Sequence, residues 1–237
     1  MRSVMQKWLM NATQIVRHNL KIIFGDKFPF FLLGAFAFFI FIVAVNIFGN
    51  ERFTEESVFS LLLFEGIIVV FFPTIYAIQN DADKRTIELL FGIPDYRYKV
   101  WLVRVLIAFL VCAMILAILA VMCYYALLSF PIGTMVYYVM FPVFLLGSLG
   151  FLLATLTKNG NSAAVVAIII GLGLWVLTDA LSHSQWNVFL NPFDMPDMDM
   201  QMWEAMIRKN HAFQLITGLV FLLGSMLNLQ NREAFMP

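Results

Sequence analysis

The sequence predicts an all-α polytopic membrane protein, and three observations carry that prediction. Hydrophobic residues make up 62% of the chain and charged residues only 13%, where a soluble domain is near half apolar and about a quarter charged. The mean hydropathy is +0.86, and so little charge cannot cover a water-facing surface. Six long apolar segments recur, at 28–48, 58–79, 101–127, 134–157, 163–180 and 212–229, each near the roughly 20 residues that a spanning helix needs. The expectation is therefore six transmembrane helices, since lipid tolerates no unpaired backbone.

Each element follows in order. In "MQKWLMNATQIVRHNLKIIF", apolar Trp8, Leu9, Ile15, Val16, Leu20 and Ile23 alternate with basic and amide residues. Residues 1–27 accordingly read as an amphipathic helix lying in the cytoplasmic interface, its lysines toward lipid headgroups. The segment 28–48 is long and Phe-rich and follows that lead, so it reads as a first span rather than a cleaved signal with a short apolar core. The second span carries Glu65 inside "LLLFEGIIVV". An acid there is costly unless it faces protein or water or stays neutral; it is a candidate for a translocation path or for a polar helix-packing contact.

Between the second and third spans, "QNDADKRTIELLFGIPDYRYKVWLVR" is charged, and its first half is helical in pattern up to Gly92 and Pro94. A merely solvated hairpin needs no such helix, so residues 80–100 form a candidate docking element. The third, fourth and fifth spans follow through the short links "SFPIG" and "TKNGNS". Gly147, Gly150, Gly171 and Gly173 permit close helix contacts. Tyr124, Tyr125, Tyr137, Tyr138, Trp101, Trp175 and Trp186 fit an aromatic belt at the membrane edges. An outer segment, 181–211, carries a short helix that could lie on the interface, and residues 230–237 form a charged tail.

Lysine and arginine positions set the orientation. With the N-terminus in the cytoplasm, twelve of the fifteen fall on that side, and only Arg52, Arg208 and Lys209 fall outside. Both termini are then cytoplasmic. The outer loops carry Glu51, Glu55, Glu56, Asp194, Asp197, Asp199 and Glu204.

Chemistry-bearing motifs are few. The chain has no GxxxxGK[ST], HExxH or GxSxG pattern, so no catalytic, metal or cofactor site is expected. His18, His183 and His211 are scattered. The carboxylates at 194, 197 and 199 lack the glycine of a calcium loop. Cys112 and Cys123 lie eleven residues apart in one apolar run, on nearly the same side of one helix, where they cannot bridge each other; they read as packing residues. Zero net charge gives no reason to expect a nucleic-acid partner.

The arrangement resembles the membrane subunits of ABC exporters of the ABC-2 permease type. The resemblance lies in the basic interfacial helix before the spans and in the stretch "NDADKRTIELLFGIPDYRYKVWLVRVL". It continues in "LGSLGFLLATLTKNGNSAAVVAIIIGLGLW", the "NPF" at 191–193 and the tail "NREAFMP". It covers nearly the whole chain through loose motifs, and the modest outer segment leaves no room for a large external domain. The resemblance implies a permease that pairs with a second copy or a related permease and with two nucleotide-binding subunits, which bind and hydrolyse ATP. It implies that Asp83, Lys84, Arg85, Glu88, Asp95 and Arg97, with the N-terminal helix, contact the ATPase, and that the complex sits in a bacterial cytoplasmic membrane. An ion-coupled secondary transporter and a non-transporting structural or assembly subunit are the competing readings.

Overall fold

The computed structural model describes residues 28–48, 53–76, 78–79, 97–182 and 184–229, and among them every regular element is helical. In chain order these are α1 (Phe28–Phe48), α2 (Glu55–Ile75), a π-helical turn (Arg97–Leu102), α3 (Val103–Ala126), α4 (Ile132–Thr157), α5 (Gly160–Val176) and α6 (Met200–Asn228). The expected interfacial helix at 1–27, most of the docking element (80–96) and the tail at 230–237 lie outside the described residues.

Local chemistry places the helix starts. Thr54 caps α2 in a reciprocal box: its Oγ1 accepts from the Ser57 amide at 3.2 Å, and its own amide donates to Ser57 Oγ at 2.9 Å. Glu55 and Glu56 then oppose the helix dipole. Asn159 Oδ1 accepts from the amides of Asn161 and Ser162 at 2.9 and 3.1 Å, while Gln79 Oε1 takes the Gly160 amide at 2.7 Å. Lys158 stands in the left-handed region at φ 57°, which ends α4 and folds α5 back on it with almost no loop. Asn159→Ala is expected to cost about 1 kcal/mol, read as a lowered Tm in detergent; an unchanged Tm would mean that Gln79 alone holds this helix start.

Helix directions follow from side-chain register. Gly66 faces Val143, Gly147 faces Val70, and Gly150 faces Thr74 and Ile75, so α2 and α4 run parallel. His211 stacks on Phe141, Gly218 meets Phe144, Gly224 meets Leu152, and Asn228 Nδ2 donates to the Thr155 carbonyl at 2.7 Å, so α6 is parallel to α4. Leu116 and Cys112 lie at the level of Gly66, and Phe109 at that of Val70, so α3 runs the other way. The chain then returns through α5, because Gly160 sits beside Gln79 whereas Asn191 Nδ2 reaches the Glu56 carbonyl at 3.1 Å. Helices α2 and α4 form the centre, with Phe59, Leu62, Ile75, Met135 and Phe151 almost fully buried.

The outward faces are apolar: Leu106, Leu110, Met114 and Ile118 on α3, and Leu215, Ile216, Leu219, Leu223 and Leu227 on α6, are exposed. Helix α6 buries Asn210, Gln214, Gly218 and Ser225 instead. Polar residues inside and apolar ones outside are what a bilayer solvent selects. The molecule is therefore a multi-spanning membrane protein.

The expectation of six spans is corrected to four. Among the described residues, Glu55–Ile75, Val100–Ala126, Ile132–Thr157 and Met200–Asn228 are long and apolar enough to cross, whereas α5 (Gly160–Val176) and the stretch Leu32–Val45 inside α1 are shorter. The physical reason is clearest in α5. Its 17 residues rise about 25 Å at 1.5 Å per residue, against a hydrocarbon core of about 30 Å, and turns over 177–182 take over where Thr178 and Asp179 enter the sequence. The lysine and arginine count that assumed six crossings falls with it, and with it the placement of both termini drawn from that count.

Candidate functional site

Three features stand out once the helices are placed. The first is Glu65, halfway along α2. It is 0% exposed, and among the described residues neither carboxyl oxygen has a hydrogen-bond partner. The next residue, Gly66, lets α3 and α4 close over this level: a Cβ there would stand 2.7 Å from Val143 Cγ2 and 3.1 Å from Leu116 Cδ1. Cys112 Sγ donates to the Gly66 carbonyl at 3.6 Å, a weak bond that ties α3 to the same turn. Among the described residues no helix supplies Glu65 with a hydrogen-bond partner. Replacing it by the apolar, adaptable Met is expected to stabilise the bundle by roughly 1–3 kcal/mol, the cost of an unsatisfied buried polar group. A raised Tm in detergent checks this, and a lowered one would show that the carboxyl has a structural partner.

The second feature was not legible as a site. Met200 onward is the start of α6, and part of the preceding stretch folds inward, with Asn187, Val188 and Leu190 buried, while Asp194, Met195, Asp197 and Asp199 stay exposed. Two amides of α6 hold it. Asn210 Nδ2 donates to the carbonyls of Gln185 and Asn187 at 2.9 and 2.7 Å, and Gln214 Nε2 donates to the Val188 carbonyl at 3.0 Å and to Asn210 Oδ1 at 2.9 Å. Trp203 Nε1 donates to the Pro192 carbonyl at 3.2 Å. Buried irregular backbone persists only where its carbonyls are satisfied, and these side chains do so. An aromatic chain ties the same end together: Phe59 to Phe193 (6.0 Å), Phe193 to Tyr138 (5.8 Å), Tyr138 to His211 (5.2 Å), and His211 stacked on Phe141 at 4.0 Å and 3°. The sequence signal was available: Asn210, Gln214, Gly218, Ser225 and Asn228 share one helical face.

The third feature is charge separation between the two ends of the bundle. Glu55, Glu56, Asp194, Asp197, Asp199 and Glu204 sit at the end where α2, α4 and α6 begin, outnumbering Arg208 and Lys209 there. The opposite end carries Arg97, Lys99, Arg104 and Lys158 and, among the described residues, no carboxylate. Arg104 is buried, with its guanidinium 5.1 Å from the Trp101 ring centroid. Trp101 is itself buried and packs on Phe151 at 6.3 Å, so it belongs to the core rather than to the aromatic belt; Trp175 and Trp186 remain exposed.

Both helices that flank residues 80–96 are locally irregular at the basic end. Pro73 lies inside α2 and offers no amide to the Val69 carbonyl, and Thr74 Oγ1 bonds back to the Val70 carbonyl at 2.8 Å. Helix α3 is entered through the π turn Arg97–Leu102, a geometry that recurs at functional sites. Of the expected coupling residues, Asp83, Lys84, Arg85, Glu88 and Asp95 lie outside the described residues, and Arg97 opens the π turn.

The glycines divide. Gly147 and Gly150 meet Phe109, Val70, Ile75 and Thr74 closely, whereas a Cβ on Gly171 or Gly173 would meet nothing within 4 Å. Cys112 and Cys123 are free and buried. His18 and His183 are outside the described residues, and no group of three His, Cys, Asp or Glu side chains able to hold a metal ion occurs among those described. No family model, curated protein or solved structure matches the chain. What its residues and geometry support together is a membrane-embedded, multi-spanning helical protein.

Proposed function

We propose that the chain is the membrane subunit of an ATP-driven exporter of the ABC-2 permease type, resident in a bacterial cytoplasmic membrane. Two permease subunits line the path, and separate nucleotide-binding subunits hydrolyse ATP; the chain itself performs no catalysis and holds no cofactor. The observation that carries the reading is the position of the charged segment 80–96. The described residues on either side of it stand at the basic end, where α2 finishes and the turn into α3 starts, and α2 and α3 pack against each other in the core. By the positive-inside tendency that end is cytoplasmic, where an ATPase would meet it.

The irregular turns at Pro73–Thr74 and Arg97–Leu102 support the same reading. They let α2 and α3 move with a docked partner, a hinge arrangement of the kind that couples domain closure to a second site. The missing phosphate-binding loop in the sequence agrees with ATP sitting on another subunit.

The test is charge reversal in the docking segment. Glu88→Lys or Arg97→Glu is expected to release an ATPase subunit that the unaltered chain retains through isolation in mild detergent. Retention of that subunit by both variants would contradict the proposed contact.

A further inference from the structure

We propose that Glu65 recognises a single positive charge on the cargo, an organic ammonium or phosphonium group on an apolar body, when α2 moves away from α3 and α4. The proposal rests on the exporter reading and names the class of molecule that the path takes.

The carboxyl is fully buried, and among the described residues both oxygens are unpartnered and no neighbouring element brings a cation to it. Helix α1 contains no titratable residue, and neither does α5. Helix α4 carries only Tyr137 and Tyr138, near its start at the acidic end. Helix α3 offers Cys112 at this level; its Arg104 lies about two turns nearer the basic end, over Trp101. The acids of α2 itself, Glu55 and Glu56, are in its first turn. A carboxylate in such surroundings is complemented by a positive charge from outside the chain.

The walls set the rest of the ligand. Leu61, Leu62, Val69, Leu116 and Val143 offer no hydrogen-bonding side chain around this turn. A sugar or a peptide would lose its own hydrogen bonds to water here without replacement. An apolar body loses none. The close packing at Gly66 leaves no space for such a molecule in the present arrangement, so binding requires α2 to swing, and Pro73 supplies a hinge about two turns away.

The test is equilibrium binding of tritiated tetraphenylphosphonium to the full chain in lipid nanodiscs. Saturable binding is expected, weakened about tenfold or more in Glu65→Gln and kept in Glu65→Asp, with excess KCl failing to displace the probe. Matched thermal unfolding and gel-filtration profiles establish that the variants are folded. Absence of saturable binding, equal binding by Glu65→Gln, or displacement by KCl would overturn the proposal. None of these readouts needs ATP or a partner. A chain that binds the probe through Glu65 yet is isolated without an ATPase refutes the exporter and keeps the charge site; an ATPase complex indifferent to the probe does the reverse.

Discussion

Gly66→Leu is expected to give the most severe defect of any single substitution in the core: loss of a monodisperse folded species in detergent. Even a methyl at this position stands 2.7 Å from Val143 Cγ2 and 3.1 Å from Leu116 Cδ1. Val143 is β-branched and sits inside α4, where its rotamer is nearly fixed, and it is fully buried, so it cannot turn aside. Gly66→Ala is expected to lower stability by about 2 kcal/mol, within the range for overpacked cores. The contact also predicts its own repair. Val143→Ala alone opens a cavity and costs about 1–2 kcal/mol, but combined with Gly66→Ala it restores part of the loss. A double-mutant cycle in Tm checks this, and strict additivity would mean that the two residues do not touch. Gly218→Ala makes a useful contrast. Its clash at 2.6 Å is with the Phe144 ring, which is half-buried and can rotate, so the loss there is expected to be smaller.

Asn210→Leu is expected to free the inward-folded segment 184–193. It removes two bonds to the Gln185 and Asn187 carbonyls and the acceptor for Gln214 Nε2. Hydrogen bonds within membrane bundles contribute about 0.6–1.7 kcal/mol each, so the total is about 3 kcal/mol. Amide exchange of 184–193 is expected to rise about a hundredfold, because local opening sets protection. The α2 amides, packed against α4, are expected to keep theirs. Unchanged exchange at 184–193 would mean that Trp203, Asn191 and the aromatic chain around His211 hold the segment without Asn210.

These two sites mark what was legible in the sequence. The all-helical, multi-spanning class followed from composition, because a chain this poor in charge has only a bilayer to fold in. Helices α2, α3 and α4 lie within a few residues of the expected segments for the same reason. Length failed at α5, where the expected segment ran through Thr178 and Asp179 to 180 although the helix gives way to turns after Val176. It failed again at α6, whose first three turns carry Glu204, Arg208 and Lys209 and therefore read as a separate surface piece. Glu65 was visible because one acid in an apolar run is conspicuous. The Asn210–Gln214 pair was not, since amides at a span boundary are ordinary until the carbonyls they hold are placed. Trp101 was misplaced because a tryptophan near a span end fits an aromatic belt equally well, and only packing against Phe151 decides the matter.

Isolation of the chain from its native membrane in mild detergent, with the subunits counted by native mass spectrometry and ATP hydrolysis measured on the same sample, tests the central claim most directly. The account predicts a nucleotide-binding subunit at a one-to-one ratio and hydrolysis that depends on it. A chain recovered without any such subunit and without hydrolysis would contradict the exporter reading.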